Sequence, residues 1–139
     1  MADRPGPLTL SAIEAAVRAA FSRELCSPDD LADWTPGNPS RGHCAVTALT
    51  LHDLLGGDLL VAEVTRGGER TGYHSWNRIG GVEVDLTREQ FAPDEVVGEP
   101  EVVHRPPGLP GPYTDQYLEM RRRVGAALGV EIPGRDGAG

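Results

Sequence analysis

The chain has 139 residues, a formal net charge of −8, a pI near 4.9, 18 glycines, 12 prolines and an apolar fraction of 39%. That length suits one domain around one core, with much irregular chain wrapped around it. The acidity disfavours nucleic acid, which needs clustered cations; all 13 basic residues are arginine, and the run at 121–123 reads as a solvated helix face.

Residues 1–8 carry two prolines and a glycine and are expected to be flexible, as are 130–139, leaving a single domain over 9–129. The start has neither an apolar core segment nor a cleavage pattern of a secretory signal, and no run approaches the roughly 20 apolar residues of a membrane span. A cytoplasmic protein without membrane partners is expected, with Cys26 and Cys44 as reduced thiols.

Ser11 and Glu14 have capping-box spacing, and Ile13, Val17, Ala20 and Phe21 recur at helical intervals, predicting a helix up to Leu25. Residues 26–42 read as a long loop holding one large apolar residue, Trp34; a loop of this length inside a small domain is often functional. A second helix is expected over 43–55, capped by Ser40 and stopped by Gly56-Gly57, with Cys44 in its first turn. Strands follow at 59–64, 73–79 and 82–86, with a glycine-rich turn at 66–72 and a two-residue hairpin turn at Gly80-Gly81. Thr87 to Gln90 opens a short helical turn. Residues 100–112, with five prolines, read as an extended crossing or a linker, and Thr114 caps a last helix ending at Gly129, with Tyr117, Leu118, Val124 and Leu128 as its buried stripe.

The chemistry concentrates at Cys44. A thiol at a helix amino end faces unpaired N–H groups and the positive end of the dipole, which favour the thiolate. Gly42 would let a substrate carbonyl approach the backbone, the Cys44 N–H offers one oxyanion donor, and the Asn38 side-chain amide a second. If Gly80-Gly81 is the whole turn, the period of two puts His74, Trp76, Glu83, Asp85 and Thr87 on one sheet face. His74 and Asp85 are then diagonal neighbours, roughly 7–8 Å apart at the backbone, and the carboxylate can orient the ring while its other nitrogen accepts the thiol proton. Trp34, Tyr73 and Trp76 either line a substrate groove or fill the core.

The order helix-borne Cys44, strand-borne His74, next-strand Asp85 resembles the papain-like superfamily in its transglutaminase-core arrangement. Residues 38–49 (NPSRGHCAVTAL), His52-Asp53, Gly56-Gly57, 73–77 (YHSWN), 85–87 (DLT) and Gln90-Phe91 more narrowly resemble the YunG-like family of small bacterial proteins. The resemblance implies an α+β papain-like fold, the Cys-bearing helix packed on a small antiparallel sheet, with Cys44 as nucleophile, His74 as base and Asp85 as orienter. It implies no substrate. The chain departs from the family pattern at His43 and His52, where glutamine is expected. A glutamine beside the thiol would give its amide to the oxyanion, so Asn38 becomes the better donor, with His43 kept among the substrate-contacting candidates.

These readings point to cysteine-dependent acyl transfer on a peptide or small-molecule amide or ester, without a cofactor, and to hydrolysis before amine transfer. A tailoring enzyme of a natural-product pathway and a ligand-binding module without turnover are the alternatives. Zinc held by Cys44, His43, His52 and His74 is disfavoured, because structural zinc ligands come in closely spaced pairs. Oligomeric state is not encoded legibly.

Overall fold

Thr9 opens helix α1 (Leu10–Ala20) by accepting a hydrogen bond from the Ala12 amide (3.1 Å), so the expected Ser11 cap falls inside the helix. The helix stops at Ala20, short of Leu25, and the Ser22 amide donates to the His43 ring (3.2 Å) instead of to a helical carbonyl. The chain continues through 3₁₀ turns at Arg23–Leu25 and Pro28–Asp30. The computed structural model describes residues 8–105, 109–111 and 113–132; most of both expected flexible ends, and part of the proline-rich crossing, lie outside them.

Helix α2 (Cys44–Leu55) begins at the cysteine and ends at Gly56, whose φ of 71° suits glycine. Ser40 does not cap it; its hydroxyl donates to Glu89 instead (3.1 Å). Strands β1 (Asp58–Arg66) and β2 (Glu69–Ile79) pair antiparallel along their lengths, with one irregularity at Val64/Thr65. Only Gly67 and Gly68 separate them, both at positive φ as tight hairpins require, so the expected seven-residue turn is mostly strand. Strand β3 (Val82–Val84) takes the expected register, Ile79 opposite Val82 and Arg78 opposite Glu83, but ends before Asp85. Two short strands, β4 (Glu95–Val97) and β5 (Glu101–Val103), pair with the two ends of β1 on its other side. The result is an α+β architecture with a five-stranded antiparallel sheet.

Helix α3 (Thr114–Leu128) is closed by Gly129 in the left-handed conformation, as the sequence suggests. Its buried positions are Tyr117, Met120, Val124 and Gly125; Leu118 is exposed, since one residue from Tyr117 rotates it about 100° off the buried stripe. The main core gathers Ile13 and Val17 of α1, Val46 and Leu51 of α2, Val84 and Leu86, and the buried side of α3. A smaller cluster of Leu60, Ala62 and Trp76 packs against Val97. Among the described residues no helix is long and apolar enough to cross a membrane.

Arg105 locks the segment after β5 to α2 and α3. Its guanidinium donates to Asp53 (2.7 Å), the Tyr117 hydroxyl (2.6 Å) and the Leu49 carbonyl (3.3 Å), and Tyr117 also donates to Asp53. Both charged side chains are about 95% buried, at 5% and 3% exposure.

Candidate active site

Cys44 is half-buried at the mouth of α2, and the loop before it is fixed from three directions. The Gly42 carbonyl accepts from the Ser27 amide (2.9 Å), and the Gly42 amide donates to the Gln90 side chain (3.1 Å). A Cβ on Gly42 would lie 2.5 Å from the Cys26 sulfur and 2.8 Å from the Asp30 Cβ, and φ is +76°. The absent side chain thus lets Cys26 and Asp30 pack against Gly42, which also lines the cleft at Cys44. Cys26 is buried beneath this crossing, and burial, with Asp30 nearby, pushes its thiol up to about 11.

The His74 ring is fully buried on β2, and its Nε2 lies 2.7 Å from Asp85 Oδ2. Asp85 also accepts from the Thr87 amide (3.2 Å) and Arg88 Nε (2.7 Å), so the carboxylate is held on both oxygens. Burial opposes charge on both partners. It is outweighed on each side: the bond to Asp85 and the neighbouring Cys44 thiol raise the proton affinity of His74, while His74 and Arg88 hold Asp85 below the ordinary carboxylate range. An ionised carboxylate accepts only, so Nε2 carries the proton and Nδ1 is left as an acceptor. Nδ1 is buried without a hydrogen-bond partner among the described residues, and the Cys44 thiol is one of the groups that raise the ring's proton affinity. Trp76 stacks on the ring at 5.2 Å and Phe91 meets it edge-on at 4.8 Å, so packing as well as hydrogen bonding sets its orientation.

Cys44 opens into a cleft of about 530 Å³. Its lining includes the acidic residues Asp29, Asp30, Asp33 and Glu95, together with Tyr73, Ser75, Phe91 and Tyr113. Three of these carboxylates share one cation, Arg41, which pairs with Asp30 (3.2 Å), Asp33 (3.8 Å) and Glu95 (3.0 Å), so the lining keeps a net negative charge. Among the described residues no cluster of three or more metal-ligating side chains is present.

The family model described as YunG protein matches residues 9–129. The chain belongs to the YunG family. Over 58 residues it is 43% identical to the "Uncharacterized protein YunG" of Bacillus subtilis (strain 168), a stretch covering 42% of this chain and 46% of that protein. The chain thus aligns with under half the length of that relative, and no solved structure matches it.

In this YunG-family chain Cys44, His74 and Asp85 come together as their spacing suggests, and Tyr73 lines the cleft. Four other candidates do not serve it. Asn38 donates its amide to the Gln90 carbonyl (2.8 Å) and is absent from the cleft wall, so it braces the loop instead of offering an oxyanion donor. His43 is fully buried, its nitrogens 2.9 Å from the carbonyls of Arg41 and Ser22; burial lowers its proton affinity, and a neutral ring that donates to Arg41 and accepts from the Ser22 amide is satisfied. Trp34 donates to the Pro39 carbonyl (3.0 Å) within its own loop. Trp76 is buried behind His74 with its indole N–H on Glu83 (2.7 Å), which makes it a platform for the ring and not a groove wall.

Sequence reasoning missed Tyr113, which lines the cleft and whose phenol is pushed up by burial and by Cys44. It named Gln90 only as part of a motif, without its role of joining the Cys44 loop to the turn after Asp85. A side-chain amide three residues beyond Thr87, beside an aromatic, was the available signal.

Proposed function

We propose that the protein is a cysteine-dependent acyl-transfer enzyme that hydrolyses an amide or ester through a thioester on Cys44, on a papain-like, transglutaminase-core variant of the α+β fold. The observation that carries this reading is the His74 ring, bonded at 2.7 Å to Asp85 through Nε2, with Nδ1 left unpartnered among the described residues and the Cys44 thiol among the groups that raise the ring's proton affinity. Nδ1 takes the thiol proton as sulfur attacks the carbonyl carbon, and the C–S bond forms. Charge then builds on the carbonyl oxygen, where the first-turn amides of α2, which lack intrahelical acceptors, can receive it. His74 returns the proton to the leaving amine or alcohol as that bond breaks. Water, deprotonated by the same ring, then attacks the thioester, releasing the acid and the thiol. The substrate is a peptide or small amide or ester, and the two free thiols suit a reducing, cytoplasmic setting.

Iodoacetamide labelling of the folded protein, followed by peptide mass mapping, tests the reading. Cys44 is expected to be modified well ahead of Cys26. Equal or slower modification of Cys44, together with retained affinity for a ligand in the cleft, would favour a binding module without turnover.

A further inference from the structure

A second, smaller pocket of about 160 Å³ adjoins the cleft. Its walls are Ala45, Ala48 and Leu49 of α2, Leu59 and Val61 of β1, and Tyr113, and it shares Ala45, Ser75 and Tyr113 with the cleft. It therefore begins one residue from the nucleophile and runs along the same helix. Aliphatic side chains dominate its lining. His104, which is exposed, and Arg105 also border it; Arg105 is committed to Asp53, Tyr117 and Leu49, is 5% exposed and so is not offered to a ligand. An aliphatic cavity of about 150 Å³ is large enough to take up benzene, which makes this space the size of one leucine or phenylalanine side chain.

The chemistry of the site says which half of a substrate lies here. The leaving group must receive its proton from His74, and Phe91, in edge contact with that ring, lines the wide cleft but not the small pocket. The departing half thus occupies the wide cleft, and the half that remains on sulfur faces the pocket beside Ala45. We infer that this pocket is a specificity site for one apolar side chain, leucine-sized, on the acyl half of the substrate, an inference that rests on the acyl-transfer reading. Burying a side chain of that size is worth roughly 10- to 100-fold in selectivity.

Peptidyl chloromethyl ketones with leucine scanned through the positions next to the reactive group, on an all-glycine background, test this by the rate of Cys44 modification. Leucine at one position is expected to speed labelling at least about tenfold over the all-glycine probe. Val61→Phe, which fills the pocket from the half-buried strand side, should bring that ratio to near one. Leu49→Ala, which enlarges the pocket, should shift the preference toward phenylalanine. Labelling by all probes at equal rates would overturn the specificity site while leaving the nucleophile intact, as would a leucine preference unchanged in both variants. Failure of Cys44 to react with either the glycine probe or iodoacetamide would remove the acyl-transfer reading and the pocket's role together.

Discussion

Asp53→Ala is the substitution that bears hardest on the lock joining α2, α3 and the segment that leads to the active-site wall. Asp53 is 3% exposed and Arg105 5%, and the carboxylate accepts from both Arg105 (2.7 Å) and the Tyr117 hydroxyl, with Arg121 at 3.9 Å. Its removal leaves the guanidinium of Arg105 buried with only neutral partners, the Leu49 carbonyl, the His52 ring and the Tyr117 hydroxyl, among the described residues. Breaking one side of a buried pair typically costs about 3–5 kcal/mol, against a total stability of about 5–15 kcal/mol for a domain of this kind. Each kcal/mol lowers the midpoint by roughly 3–4 °C at this chain length, so thermal unfolding should fall by about 10–20 °C. Removing both charges, Asp53→Leu with Arg105→Met, eliminates the stranded ion and should recover most of the loss. Urea and thermal unfolding at pH 7 measure both. A loss below about 1 kcal/mol for Asp53→Ala, or a double variant no more stable than the single one, would refute the reasoning.

Gly42→Ala is expected to destabilise by about 2–4 kcal/mol, since the methyl meets the Cys26 sulfur and Asp30 at a positive φ; urea unfolding reports it. Asp85→Asn should slow Cys44 alkylation at pH 6 by roughly 10- to 100-fold, because the charge-assisted bond that holds the His74 proton is worth about 1.5–3 kcal/mol. Folding raises the proton affinity of His74 above its ordinary 6.5, so its protonation adds stability fully below that pH, and the benefit is lost as pH rises through the folded value. The stability gap between wild type and His74→Gln should therefore be wider at pH 6 than at pH 9, by chemical unfolding. Cys26, buried and pushed up to about 11, should resist a thiol reagent at pH 8 until the protein is unfolded, as a titration with and without denaturant would show.

The parts of the site legible in the sequence were those set by local period. A two-residue glycine turn fixes the hairpin register, and the register places His74 within reach of Asp85; a helix that starts after a Gly-rich loop puts Cys44 in its first turn. What sequence reading missed depends on long-range partners. His43, next to the nucleophile, looks like a site residue until Ser22, 21 residues earlier, engages its ring. Asn38 has the right chemistry for an oxyanion donor, yet Gln90, 52 residues away, claims its amide. Strands β4 and β5, three residues each, are too short to show alternation and exist because β1 offers them an edge. Tyr113 reaches the cleft only because α3 packs on α2, a contact with no local signature.

The pH dependence of Cys44 alkylation in wild type and His74→Ala tests the catalytic pair most directly. If the imidazole takes the thiol proton, wild type stays reactive at pH values well below the ordinary thiol range of about 8.5, and the variant loses that acid limb. Superimposable profiles for the two proteins would mean that sulfur and ring do not share a proton, and the acyl-transfer account would fail.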